Sequence, residues 1–381
     1  MKKITVIGKG LAGMMSVNFF NNIEHWEVEC VYNSAYPEQD VGISTALDFY
    51  GYMSEINNLT YPEVKEFKGF HKTGVSKENF GDNTYFQSFK TGNISVQFNS
   101  VDMINYLQKL NDNIKYTELE DVSYKSLDTD YIVDTTPPNW DDDYAYSKHI
   151  PVNKARGTKI PWLYPQFDYT RIIARPYGWI SMIPTKDFLF CTYIFNQDLN
   201  SDSEVEDDML IHLFDEAYDI SDLKFKSFPF KNYYIKQAVK GNVLYNGNKA
   251  AFLEPFEATA FSNTIRLTSD YFEHLVYSQP FHNDRYLEYI QESQEVILMH
   301  YLAGSKWDTK FWNHAVTISE DFFKNHSSDK FKQRIEKITK PYLKKNTLSF
   351  FYTQALYEYN IFNLGVYEKL KYLTSWLLVS L

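Results

Sequence analysis

The sequence predicts an α/β protein, and three observations carry that expectation. A β-branched run at Lys3–Ile7 leads into Gly8-Lys9-Gly10-Leu11-Ala12-Gly13, a GxGxxG turn, and this leads into an apolar, helix-like stretch from Met14 to Phe20. A second strand-like run follows at Glu27–Tyr32. Further on, strand-like runs near 85–98 and 160–196 alternate with apolar spacings of three and four at 101–110, 209–217, 286–302 and 367–380, which read as helices.

The glycine turn has its chemistry in context. Between a strand and a helix, glycines permit a tight turn, a close backbone approach to a pyrophosphate and close helix-to-strand packing, while the helix N-terminus favours the anion. The plain alternative is a glycine-rich turn without a ligand. The second strand ends in Asn33, where dinucleotide folds usually place an acid to accept from the ribose hydroxyls; the Asn carbonyl can still accept one such bond. These residues alone leave FAD and NAD both open.

Composition narrows the class. At 381 residues the chain suffices for two modest domains or one large intertwined unit, and 44% hydrophobic with 23% charged residues sets disorder aside. The net charge of -11 argues against nucleic acid, whose binding needs clustered Lys and Arg. The acidic stretches Asp141–Asp143 and Ser201–Asp208 read as solvated loops. Cys30 and Cys191 form at most one pair, with no CxxC and no Cys/His spacing for zinc, so no metal is expected and a reducing compartment is the simpler reading. A strand starting beside Met1 leaves no room for a signal peptide, and the apolar tail YLTSWLLVSL is too short to span a bilayer, so the expectation is a cytoplasmic protein without a membrane partner. The 31 Tyr, 29 Phe and 7 Trp suit stacking of a flat ligand and equally suit a core. The Asn-, Lys-, Ile-, Tyr- and Phe-rich composition fits an AT-rich genome, a virus among the candidates.

One stretch, FLEPFEATAF at 252–261, sets Glu254 and Glu257 in an apolar run. Burying a carboxylate costs several kcal/mol by order of magnitude, so each acid needs a partner or a task. Read in order, Gly8–Gly13, DVGISTALDF, YGWISMIP and GNVLYNGNKAAFLEPFEATAF, supported by SVDMINYLQKL and by HYLAGSKWDTKFW at 300–312, resemble the flavin-dependent tryptophan halogenase family over nearly the whole chain.

The resemblance implies an FAD-binding, Rossmann-like fold of the flavoprotein monooxygenase type, with a mixed sheet and C-terminal helices. It implies one intertwined unit over residues 1–381: an FAD-binding module from about 1–80, 100–136 and 236–280, a substrate-side sheet from about 81–99 and 150–235, and a helical region over about 281–381. It also implies a reaction in which reduced FAD, supplied by a separate flavin reductase, and oxygen turn a halide (chloride, bromide or iodide) into hypohalous acid. The acid reaches a lysine beside an electron-rich aromatic substrate, indole- or phenol-like. A homo-oligomer is compatible with all of this.

Residue by residue, the resemblance assigns FAD contacts to Gly8, Gly10, Leu11, Ala12, Gly13 and Asn33, to a strap at Val41, Gly42, Ser44 and Thr45, and to Gly247 and Asn248. Lys72, in FHKTGV, matches the family lysine pattern, with Lys77 the fallback and Lys65 and Lys68 its other neighbours; all four read blandly as surface lysines. A lysine suits the task because its ammonium can donate to hypohalous acid or its amine can carry the halogen. Glu257 takes the catalytic acid position, Thr259 and Ala260 the halide turn, and Trp179, Ser181, Ile183, Pro184, Glu254, Phe351 and Tyr352 the tunnel and substrate side. For Glu254 the plainer reading is a structural carboxylate bonded to backbone in the turn around Pro255. Ser181 stands where the family has a second tryptophan, Ile43 where it has Glu, and Ala260 where it has a glycine that would allow φ > 0. Two other readings stay open: a flavin monooxygenase inserting oxygen, from Ser181, and a non-catalytic FAD-binding protein, from Asn33, Ile43 and Ala260.

Overall fold

The computed structural model describes residues 2–333 apart from 37, 58, 60, 82, 90–94, 141–142 and 163–165. Its helices are α1 (Leu11–Asn21), α2 (Leu47–Asn57), α3 (Ser100–Leu110), α4 (Asp202–Asp215), α5 (Thr259–Tyr277), α6 (Asn283–Leu302) and α7 (Lys310–Asn325). Phe351, Tyr352 and the expected helix at 367–380 lie outside the described residues. The chain divides into two compact units, each assembled from separate stretches: Met1–His71, Ser95–Tyr146 and Tyr233–Tyr289 in the first, and Lys72–Ile94, Ser147–Asn232 and the residues from Ile290 onward in the second.

The first unit is built on a six-stranded sheet ordered Val239–Lys240, Val243–Tyr245, Tyr131–Asp134, Lys2–Ile7, Trp26–Tyr32, Lys115–Glu118, parallel except at its Val239–Lys240 edge. Parallel neighbours need crossover connections, and α1 supplies the first of them. Lys2–Ile7 lies in the middle of the sheet, and Ile4, Val6 and Ile7 are all buried, as a strand covered on both faces requires. This is the Rossmann-like sheet that the opening glycine motif predicts. Two small sheets join it: Tyr144–Tyr146, Tyr233–Ile235, Ala251–Phe252, and Gly42–Ser44, Ser95–Asn99, Phe70–Lys72.

The second unit holds a mixed seven-stranded sheet ordered Lys226–Pro229, Lys154–Pro161, Phe188–Phe195, Gly178–Pro184, Thr170–Arg175, Gly74–Phe80, Asn83–Ser88. All its pairs are antiparallel except Thr170–Arg175 with Gly74–Phe80. The strand-like run near 85–98 is therefore two strands in two different sheets, because a period of two reports strand geometry and not the pairing partner. Ile180, Met182, Leu189, Cys191, Tyr193 and Phe195 are fully buried against Val205, Met209 and Leu213 of α4. At roughly 1.5–3 kcal/mol for each large apolar side chain, that face drives the docking of the helix.

Helix α4 corrects one expectation. Ser201–Asp208 is not a solvated loop: Ser201 and Glu204 form a reciprocal capping box that starts the helix. The acids behind it grip the sheet. Asp202 holds Lys154 at 2.7 Å, Glu206 bonds Arg156, and Asp208 takes Arg175 at 2.6 and 2.9 Å. Arg171 bridges Glu78 and, just past the helix, Glu216, with four contacts of 2.6–2.8 Å. Among the described residues no helix is long and apolar enough to cross a membrane. Cys30 and Cys191 are buried free thiols, and burial pushes each up to about 12, so neither is a reactive thiolate at neutral pH.

Candidate active site

In the first unit the glycine turn has the shape a pyrophosphate needs. Gly8 has φ +109°, and a Cβ on Gly13 would fall 2.0 Å from the Gly8 carbonyl oxygen, so both glycines are required by close packing. Gly10, by contrast, has nothing within 4 Å of where a Cβ would stand. That open space lies at the start of α1, whose first amides have no intrahelical acceptor. These residues fit a dinucleotide.

The turn is braced from several sides. Thr135 Oγ1 donates to the Ile7 carbonyl at 2.8 Å, and Gly247, with φ +56°, sits so close that a Cβ would fall 2.4 Å from Ala12 Cβ. Fully buried Asn246 fixes this approach by donating to Thr268 Oγ1 at 2.9 Å and to Ser16 Oγ at 3.3 Å. Asn248 is exposed and its carbonyl accepts from Tyr233 at 2.6 Å, so its side chain is not part of the brace. Asn33 donates to the Glu120 carbonyl at 2.6 Å and accepts from the Ala35 amide at 2.8 Å. In the strap, Gly42–Ser44 pairs with Gln97–Asn99, Ser100 Oγ accepts from the Val41 amide at 3.1 Å, and buried Thr45 bonds Ser95 Oγ at 2.6 Å and the Val96 carbonyl at 2.7 Å. The Thr45 hydroxyl is thus occupied within the fold.

Sequence reasoning passed over Asp48, three residues beyond Thr45. Its Oδ1 is enclosed without a hydrogen-bond partner, and burial pushes its carboxyl up against opposing help from Ser262 and Arg266. The signal was present: an acid inside TALDF poses the same question as the two in FLEPFEATAF.

That later stretch separates its two acids. Glu254 is fully buried, and Glu257, ending a turn at Pro255–Glu257, is half-buried. The left-handed residue is Ala258, with φ +54°, whereas Ala260 is helical in the first turn of α5, so the strain expected at Ala260 falls two residues earlier. Thr259 is buried, with its carbonyl accepting from Tyr289 at 3.1 Å. The N-cap residue of α5, Ala258, makes no side-chain capping hydrogen bond, and the first amides of a helix, here at Thr259 and Ala260, have no intrahelical acceptor.

The four candidate lysines divide by burial. Lys65 and Lys68, in the first unit, are exposed, whereas Lys72 and Lys77 are only 4% and 5% exposed. Lys72 Nζ lies over the Phe89 ring at 5.4 Å. Lys77 Nζ is 2.8 Å from His300 Nε2, while His300 Nδ1 is 2.8 Å from the Val296 carbonyl. A carbonyl can only accept, so Nδ1 carries hydrogen, and a neutral imidazole then offers its Nε2 lone pair to the Lys77 ammonium. The next residue, Tyr301, accepts at 2.8 Å from Nε1 of Trp179, which is fully buried. Ser181 and Pro184 are buried on the same strand, with Ile183 half-buried. The stretch after His300-Tyr301 clamps its neighbours: Trp307, Thr309 and Trp312 donate to the carbonyls of Ala174, Pro176 and Arg175 at 3.1, 2.6 and 2.7 Å. His300, 223 residues from Lys77, was not among the expected site residues.

The profile of the tryptophan halogenase family matches residues 140–367. The tryptophan 6-halogenase SttH of Streptomyces toxytricini is 26% identical over 193 residues, a match covering 48% of this chain and 34% of that protein. The fold is shared with a tryptophan halogenase from Shewanella frigidimarina (TM-score 0.75, 13% identity, 89% of this chain and 83% of that one). It is shared too with BrvH, a flavin-dependent halogenase from Brevundimonas sp. BAL3 (TM-score 0.72, 14% identity, 88% and 84%).

Proposed function

This chain belongs to the tryptophan halogenase family, and from that premise we propose that it is a two-component, flavin-dependent halogenase acting on an electron-rich aromatic of the indole or phenol kind. The observation that carries the reading is the burial of Lys72, since a lysine kept only for solubility stays in water. Reduced FAD, delivered by a separate reductase, supplies with oxygen the two-electron oxidation of halide to hypohalous acid. Gly8, Gly10, Leu11, Ala12 and Gly13 hold the pyrophosphate, with Asn33, the strap at Val41, Gly42, Ser44 and Thr45, and Gly247 and Asn248 around the cofactor. The first amides of α5, at Thr259 and Ala260, stabilise the halide through the N-terminal field of that helix. Lys72 donates to the hypohalous acid or carries the halogen to the substrate, and Glu257 takes the proton released as the ring regains aromaticity. Trp179, Ser181, Ile183, Pro184 and Glu254 border the path of the oxidant.

Two specific observations support variants of this reading. Lys77 is a second buried lysine with a fixed hydrogen-bond partner, which favours it as the relay should Lys72 prove dispensable. Ser181 in place of a second indole favours leakage of the oxidant into oxygen insertion. One assay separates them: the protein, a flavin reductase, each halide in turn and a panel of indoles and phenols, read by mass spectrometry. Halogenated products that vanish in Lys72→Ala support the proposal. Products lost only in Lys77→Ala move the relay to Lys77, products undiminished in both remove the lysine relay, and a one-oxygen shift independent of halide replaces halogenation with oxygenation.

A further inference from the structure

On the second unit His149, Asp321 and His326, none of them among the residues assigned above, converge, and we propose that they bind a divalent transition metal, Zn²⁺ in particular. One imidazole nitrogen from each histidine and one Asp321 oxygen all lie within 4.8 Å of one another. His149 Nε2 and Asp321 Oδ2 are 3.2 Å apart. Ligands about 2.0–2.1 Å from a tetrahedral zinc stand about 3.3–3.5 Å from each other, so one edge of the polyhedron is already set and a side-chain rotation of His326 closes the rest.

The fold holds the donors in place. Asp321 lies in the last turns of α7 and His326 is its C-cap residue. Asn325 Nδ2 donates to Asp321 Oδ1 at 2.8 Å, which turns Oδ2 toward His149. The His326 amide donates to the Phe322 carbonyl at 2.7 Å, and its own carbonyl accepts from Gln291 at 3.0 Å. Both imidazoles pack on the Phe322 ring, with centroids at 5.4 and 6.2 Å, and lie 4.7 Å from each other. His149 comes from a turn closed by the Ile150 amide on the Ser147 carbonyl at 3.3 Å.

The charges agree with the donors. Helix α7 ends at this point, so its last carbonyls favour a cation. Two imidazoles with one carboxylate select a borderline ion such as Zn²⁺ over the hard Mg²⁺, and the exposed face leaves the fourth position to water. Bound there, the ion staples the 147–150 turn to the end of α7. The sequence separation of 172 between His149 and Asp321 explains why ligand spacing in the sequence showed nothing.

The full-length protein, stripped with a chelator, is titrated with Zn²⁺ by calorimetry, with Mg²⁺ as the control, and its Tm is followed. The expected result is one Zn²⁺ per chain, a raised Tm and no response to Mg²⁺. His149→Ala, His326→Ala and Asp321→Asn should each weaken binding by at least the roughly 10–100-fold that loss of an outer-sphere partner costs. Circular dichroism verifies that these surface variants fold. Absence of Zn²⁺ binding by the wild-type chain, or binding undiminished in the His149→Ala/His326→Ala double variant, overturns the proposal.

Discussion

At Gly10 a side chain would enter open space, whereas at Gly13 its absence serves the fold. A Cβ at Gly10 meets nothing, so Gly10→Ala should leave Tm nearly unchanged while weakening FAD binding; Gly13→Ala, forced against the Gly8 carbonyl, should lower Tm itself. Thermal melts with flavin-fluorescence titrations of both variants check this, and equal FAD affinity in Gly10→Ala would dissociate the turn from the cofactor. Asp48 gives the pH-dependent case. Its folded carboxyl is raised, so its neutral form suits the fold: the associated stability is complete below the ordinary value of 3.8 and is lost as pH rises through the folded one. Asp48→Asn should therefore gain on the wild type as pH climbs from about 4 toward 7. Melting curves that stay parallel over that range would rule it out. The glycines were legible because their constraint is local; the enclosure of Asp48 by α5 was not, since Ser262 and Arg266 stand over 200 residues further along.

Among the elements, α4 shows how a charged helix can be structural. Its apolar face binds Val205, Met209 and Leu213 to the mixed sheet, and its acids reach the arginines of that sheet. Arg171→Met should be the most costly change in this layer, because it leaves Glu78 and Glu216, both half-buried, without the guanidinium that pairs them. Breaking a fully buried pair from one side costs about 3–5 kcal/mol, and solvent reaching these partly buried carboxylates discounts that figure, leaving a loss that urea unfolding would still read as a fall in midpoint. A loss below about 1 kcal/mol would mean that the network behaves as a solvated surface pair. Sequence alone led to the wrong element here, because an acidic run reads as solvated until the opposing arginines are located. The helix after Glu257 taught a smaller lesson: the turn was found, but its left-handed residue is Ala258, a choice made by how α5 begins.

Across the whole molecule the chain is interleaved. The six-stranded sheet takes strands from residues 2–7, 26–32, 115–118 and 131–134, and then from 239–245, after the sequence of the mixed sheet has intervened. A fragment ending at residue 146 would leave Tyr131–Asp134 as a bare, apolar edge without Val243–Tyr245. Such a fragment should show no cooperative thermal transition, whereas the full chain should; a cooperative melt of the fragment would mean that the later strands are dispensable. FAD should raise the Tm of the full chain in proportion to its affinity, by mass action on the folded state.

What the sequence determined by itself is whatever short range dictates: the glycine turn between strand and helix, the amphipathic spacing of α3 and α6, and the ordered motifs that declare the family. What only the tertiary structure decided is which distant residues meet. Lys77 and His300, Arg171 and Glu216, and His149 and Asp321 are joined across 45 to 223 residues. Periodicity and motif describe each partner's own segment, but whether a charge is solvated, buried or paired depends on the partner that sheet order and helix docking bring to it.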